Sequence, residues 1–349
     1  MKTTIISFLR LIALAGITII TPARATINMD YVSVGNPGNA ADTADGDNNT
    51  AGVQRYGSVG YVYQIAKNET TISQYAEFLN AVAKTDTYGL YSTNMTVSYI
   101  NGISRSGVSG AYSYTAATGS GNKPITFVNW YNAARFCNWV QNGQLTGAQN
   151  ASTTETGAYT LNGVTSGVIV NRNVGATVWI PSEDEWYKAA YYDPNKGGPG
   201  VGGYWSQATQ SNTVAGNTAG VASSANYFDG DYVGSGNASF PTSIGLTDVG
   251  AYGMNSDSAY GTNDQSGNVW EWNDAVIDEW GGVVIPPARA TRGGSWDFTA
   301  DGLASSFRSG KAPSDSFGYL GFRVASVPEP TSVVLTIFAS GLMLIRRKR

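Results

Sequence analysis

The sequence predicts an α+β domain of low regular content, with three main helices, short antiparallel strands and long ordered loops. Three observations lead there. Three stretches carry apolar residues at helical spacing behind a capping residue. The rest is cut into short segments by Gly, Asn, Ser and Thr, and glycine alone supplies 43 of 349 residues. Long loops in a compact domain need fastening, yet a single cysteine, Cys137, excludes an intrachain disulfide. The 12% aromatic content and a bound cation are the expected fasteners.

Taken in order, Asn36 to Gly52 is polar and reads as a loop, and Tyr56 to Ile65 alternates as a strand with Tyr61, Tyr63 and Ile65 on one face. Thr71, with Gln74 three residues on, opens a helix whose inner face is Ile72, Tyr75, Phe78, Leu79 and Val82. Asn129 caps a second, to about Val140, burying Trp130, Ala133, Ala134 and Cys137. At that spacing Cys137 reads as a small core residue rather than a nucleophile. Ser182 and Glu185 form another capping box, the early carboxylates Glu183 to Glu185 suit the helix dipole, and Trp186, Ala189 and Ala190 pack inward. The polar tracts Ser92 to Gly121 and Gln141 to Asn173 read as surface insertions. No internal repeat or second boundary divides the domain, placed at 26–326.

The ends read as addresses. Residues 1–25 have a basic start, the apolar run Leu11 to Ile20 and the small-x-small site Ala23-Arg24-Ala25, the pattern of a secretory leader. At 327–349, Val327-Pro328-Glu329-Pro330 precedes an apolar run, 332–345, and the cluster Arg346-Arg347-Lys348-Arg349. This end resembles the PEP-CTERM sorting signal of Gram-negative bacteria. The resemblance implies an exosortase as partner, transient inner-membrane anchoring through 332–345, and delivery to the cell surface or an exopolysaccharide matrix; a plain single-pass anchor is the alternative. Seven of the 21 basic residues lie in these two ends and only one of the 25 acidic residues does, which leaves the domain strongly acidic. A nucleic-acid partner needs a basic track, so none is expected, whereas calcium suits abundant carboxylate.

Zero histidine removes Ser-His and Cys-His nucleophile pairs, His-bound zinc and His-held iron. What remains is an ordered set of segments: Pro124 to Trp130 leading into Ala133 to Phe136, Trp179 to Trp186, Gly267-Asn268-Val269-Trp270-Glu271-Trp272, Arg292-Gly293-Gly294-Ser295-Trp296, Phe307-Arg308-Ser309 and Gly321-Phe322-Arg323-Val324. Together they resemble the formylglycine-generating enzyme (sulfatase-modifying factor) family across Tyr56 to Ala325. The resemblance implies a variant of the C-type-lectin-like fold. The family enzyme oxidises a sulfatase cysteine with copper held by two cysteines, whose positions fall near Phe298 and Leu303 here; neither is a thiol. Soft Cu(I) requires sulfur ligands, so copper is not expected. A related branch that uses histidine-held iron is removed by the missing histidine.

The resemblance also implies a calcium loop at Asp264, Gly267, Val269 and Glu271, the alternative being a solvated acidic turn. A second calcium site would use Asn226 and Tyr227, with Asp229 or Asp231. Arg292, Arg308 and Arg323 read as partners of buried carboxylates. Two functions follow. One is a non-catalytic surface module binding glycan or protein through Trp270, Ser295, Trp296, Phe298 and Arg308, with Asp297 to Gly318 facing the ligand. The other is a formylglycine-generating-type oxidoreductase acting on a partner's cysteine.

Overall fold

The computed structural model describes residues 26–47, 52–233, 245–280 and 283–328. The leader, the apolar run 332–345 and the basic tail lie outside the described residues. Among those described, no helix is long and apolar enough to cross a membrane.

The chain forms β1 (Tyr31–Val34), β2 (Tyr63–Ala66), α1 (Ile72–Val82), β3 (Ile103–Ser106), β4 (Ser113–Ala116) and α2 (Trp130–Gln141). Then come β5 (Val178–Trp179), α3 (Glu183–Tyr191), β6 (Tyr192–Asp193) and β7 (Gly203–Tyr204). The last third holds β8 (Trp270–Trp280), β9 (Val283–Arg292), β10 (Ser309–Lys311), β11 (Leu320–Gly321) and β12 (Ala325–Ser326). Sheet order is β1-β2-β12-β5 in one sheet and β10-β9-β8-β11 in the other, with β3-β4 and β6-β7 as separate pairs. The pairings are antiparallel except β11 against β8. The α+β expectation holds: three helices, mostly short antiparallel strands and long loops.

The helices start where the local chemistry sets them. Thr71 accepts from the Gln74 amide at 3.2 Å and Gln74 Oε1 accepts from the Thr71 amide at 2.9 Å. Ser182 and Glu185 make the same reciprocal pair, and Asn129 caps α2 at 2.8 Å. The apolar faces then meet in one core. Phe78 of α1 packs edge-on against Phe136 of α2 at 5.4 Å, and Phe136 meets Phe322 at 5.3 Å. Cys137 is fully buried there, and burial pushes its thiol well above the usual range.

Three expectations are corrected. The strand expected from Tyr56 is β2 and begins at Tyr63: Gly57 has φ +92°, and Tyr61 is half-exposed while Tyr63 and Ile65 are buried. The polar tracts are surface segments only in part: 92–121 is mostly exposed but buries Ile103, and 141–173 buries Ala158, Tyr159 and Leu161. The second tract is anchored by an ion pair, Arg135 to Glu155, with two bonds of 2.7 and 2.9 Å. Finally, β8 and β9 are long, 11 and 10 residues. Their register shifts between Ile277 and Glu279, opposite the stretch of β9 that contains Pro286 and Pro287; prolines sit in sheets where the ladder is already broken.

Candidate functional site

Where β8 begins, the loop before it, the Gly293-Gly294 turn and the segment 295–319 come together. Gly267 has φ +90° and a Cβ there would stand 2.4 Å from the Asn226 carbonyl oxygen, so the close approach of 226 to 267 requires glycine. Gly294 has φ +74°, and its Cβ would meet Leu303 at 2.7 Å. That turn delivers Trp296, whose amide donates to Asn268 O at 2.9 Å and whose indole N–H donates to Gly318 O at 3.1 Å.

Behind the segment stands a charged frame. The Glu183 carboxylate at the α3 N-terminus accepts from Arg292 Nε at 2.8 Å and from Arg308 Nε and Nη2 at 2.9 and 2.6 Å. Arg292 Nη1 also donates to Ser305 O and Phe307 O, fixing the loop from within. Arg323 spends all five of its N–H donors. Two go to Glu271, each at 2.6 Å, and three to the carbonyls of Ala66, Lys67 and Asn263. Trp186 Nε1 donates to Glu271 as well, at 2.8 Å. All three arginines therefore pair with buried carboxylates as their sequence context suggests.

In front of the frame, half-buried rings surround Trp296. Tyr99 and Tyr232 each lie 5.9 Å from it, and Phe228 lies 4.7 Å from Tyr232. Phe317 and Tyr319 stack at 5.0 Å, while Trp270, Phe298 and Phe307 form a triangle of 5.5 to 5.7 Å edges. The carboxyl of Asp297 stands among the rings. Ser295 Oγ donates to it at 2.7 Å, and burial pushes it above the usual carboxylate range against that bond. Its charge adds to burial in raising the Tyr232 and Tyr319 hydroxyls.

The five residues expected to face a ligand are thus brought into one neighbourhood but differ in access. Phe298 is 37% exposed, whereas Trp270, Ser295, Trp296 and Arg308 are buried. Arg308 is turned inward because Glu183 and Asp47 hold its guanidinium. The solvent-facing rings Tyr99, Phe228, Tyr232, Phe317 and Tyr319 were not singled out from sequence. Only one local signal pointed to any of them: the i, i+2 pair flanking Gly318, which puts two rings on one face.

The four loop positions expected to hold calcium separate into two groups. Asp264 is buried with φ +60°, accepting from the Gly250 amide at 2.6 Å. Glu271 is filled by Arg323 and Trp186, as above. Gly267 donates its amide to Gly293 O, and Val269 is fully buried. Beside Asp264 lies Glu69, a residue sequence reasoning missed: it is 1% exposed and neither carboxylate oxygen has a hydrogen-bond partner. Burial first, then the Asp264 charge, pushes Glu69 well above the carboxylate range, and burial carries Asp264 up to about 6. At the second proposed site, the Asn226 amide donates to Gly245 O and Asn268 Oδ1, while Tyr227 is buried. Asp231 accepts from Asn217 at 3.1 Å instead of turning toward Asn226. Among the described residues, no three His, Cys, Asp or Glu side chains converge.

A family model described as the sulfatase-modifying factor enzyme 1-like domain matches residues 21–327, up to the Pro-Glu-Pro motif. No curated protein matches the chain in sequence. Among solved structures, Treponema denticola variable protein 1 is 19% identical with a TM-score of 0.51, the alignment covering 88% of this chain and 98% of that one. CarF is 17% identical, with a TM-score of 0.49 and coverage of 87% and 100%. PvdO from Pseudomonas aeruginosa is 17% identical, with 0.46 and coverage of 88% and 100%. At these identities the likeness shows the fold alone.

Proposed function

Because this chain belongs to the sulfatase-modifying-factor family, we propose that it uses the family scaffold as an exported, non-catalytic module that binds extracellular glycan through the aromatic face around Trp296. The observation that carries this reading is the pairing of that face with its chemistry. Rings that are half-buried and held rigid from behind offer flat apolar area at low entropic cost. Asp297 and the Tyr232 and Tyr319 hydroxyls supply hydrogen-bonding groups of the kind sugar hydroxyls need. The positions that the resemblance assigns to copper thiolates carry Phe298 and Leu303, and the chain's one cysteine is buried in α2.

The leader at 1–25 and the tail at 327–349 support export, anchoring through 332–345, recognition by an exosortase, and residence at the cell surface or in the exopolysaccharide matrix. Calcium belongs to the same proposal. The donor chemistry fits a hard cation at Asp264, with Glu69 as the second carboxylate, since Glu271 is neutralised by Arg323. A cation there would supply charge compensation and fasten the 245–269 loop to the segment before α1. The second site at Asn226, Tyr227 and Asp231 fits less well: Asn226 Oδ1 is buried without a partner, but Asp231 is engaged by Asn217.

The test is saturable retention on the source organism's own polysaccharide, weakened about tenfold by Phe298→Ala. A surface protein as the ligand would show instead as retention on cells stripped of polysaccharide. Oxygen uptake with a cysteine-containing sulfatase peptide and added copper would show an enzyme and end the non-catalytic reading.

A further inference from the structure

A second surface stands where the chain leaves the domain. Strand β12 lies between β2 and β5, and the Val327 amide donates to Thr177 O at 3.1 Å as the chain departs. At that point lies an open groove of about 460 Å³ that Val327 and Pro328 themselves help to line. Its rim carries Tyr61, Val62 and Val327, which are 48%, 41% and 43% exposed, and Val174, which is fully exposed. Exposed apolar side chains gathered on one face of a water-soluble domain mark a contact surface. Among the described residues, none lining the groove is acidic, although the domain as a whole carries a large excess of carboxylate. One cation is present: Arg172, whose guanidinium lies 4.8 Å over the Trp179 ring and 3.4 Å from Glu185.

The occupant follows from the length of chain beyond the groove. The apolar run begins at Ser332, four residues past Pro328. Four residues span at most about 14 Å, and the polar layer of one leaflet takes roughly 6 Å of that. The groove face is therefore held within about 8 Å of the headgroups whenever the run is inserted. We propose that this face, through Tyr61, Val62, Val174 and Val327, rests on the phospholipid interface of the membrane that holds the precursor. Apolar prongs with a tyrosine and an arginine, whose shared carboxylate partner Glu185 is buried behind them, are a composition that enters a headgroup layer. The proposal rests on the reading of 332–345 as an anchor.

The experiment uses the full chain in phosphatidylethanolamine–phosphatidylglycerol vesicles. The buried Cys137 leaves an introduced thiol as the reactive one. An environment-sensitive fluorophore is placed singly by Val62→Cys, Val174→Cys, Met254→Cys or Ser340→Cys, and quenching by spin-labelled lipid is read. Strong quenching is expected at 340, 62 and 174, with little at 254, which is exposed but outside the groove. Adding Val174→Glu should cut quenching at 62 several-fold and leave 340 unchanged. Quenching at 340 with position 174 as unquenched as 254 overturns the surface and spares the anchor. No quenching at 340 removes the anchor and the surface together. Protection of 174 from aqueous iodide in detergent, before any lipid is added, assigns the groove to a protein segment and likewise overturns the proposal.

Discussion

Glu271 and Glu69 are both buried carboxylates facing the same arginine, and they are treated in opposite ways. Glu271 takes two bonds from Arg323 and one from Trp186, so its charge is balanced and its oxygens are filled. Glu69 has no hydrogen-bond partner on either oxygen and has Asp264 beside it. The difference shows that the scaffold is neutralised on one side of Arg323 and left with unbalanced negative charge on the other. A buried carboxylate without compensation is tolerated only by taking up a proton or a cation. The frame is thus finished as built, while the Glu69–Asp264 pair requires something from solution.

The largest effect should come from breaking the finished side. Arg323→Met leaves Glu271 buried with only the Trp186 indole, and removing one partner of a buried pair costs about 3–5 kcal/mol. The three carbonyls that Arg323 also serves lose their donors in the same step. Thermal unfolding should fall by ten degrees or more; a shift of a degree or two would mean that the pair is not the clamp its geometry indicates. The second effect tests the unfinished side. At a calcium concentration 100 times the dissociation constant, a ligand bound only to the native state adds about 2.7 kcal/mol, so the melt should rise by several degrees over the chelated protein. Glu69→Gln removes a buried carboxyl that must otherwise take up a proton or a cation. It should raise the melt in chelator and abolish the calcium increment, and equal increments in both proteins would take Glu69 out of the site.

Asp274 falls between the two cases. It has a partner, Arg289 at 3.1 Å, yet burial outweighs that attraction and carries its carboxyl up to about 7. Since the native value exceeds the ordinary one, the native state holds a proton that the unfolded chain has already released across the interval from about pH 4 to 7. Stability therefore declines as pH rises through that interval and levels off above it. Glu69 and Asp264 act in the same direction. Melts from pH 5 to 8 in chelator should fall for the native sequence and fall less for Asp274→Asn. A curve that rises over this range would contradict the sign.

What could be read in advance was what is local. The helix starts at Thr71, Asn129 and Ser182 are fixed by hydrogen bonds between residues three apart, so a short window holds the whole cause. The long β8–β9 hairpin was hidden because Pro286 and Pro287 argue against a strand, and the shifted register that admits them exists only once both strands have paired. The tract 141–173 looked solvent-facing because its polar content gives no hint that Arg135 will draw Glu155 inside. The neighbourhood of the site was legible through the ordered segments from Gly267 to Val324. Its working surface was not, since Tyr99, Tyr232 and Phe317 come from three distant stretches. Nor was Glu69, whose neighbour Asp264 stands 195 positions away.

The smallest stability effect should fall where neither buried charge nor burial is at stake. Phe298 is the most exposed ring of the face, meeting Trp270 and Phe307 and lying against Gly302. Phe298→Ala therefore forfeits part of two ring contacts, each worth about 0.5–1.5 kcal/mol at most, and leaves no buried donor or acceptor orphaned. The melt should move by a few degrees at most. The same substitution strips the leading edge of the face, so retention on polysaccharide should weaken about tenfold, the 1.4 kcal/mol expected of one exposed stacking ring. Trp296→Ala supplies the contrast. That ring is 1% exposed and carries the indole bond to Gly318, so its loss costs about 3–5 kcal/mol and collapses the face from beneath. If Phe298→Ala and Trp296→Ala lower retention only in proportion to what each does to the melt, the rings serve packing alone and the face is not a binding surface.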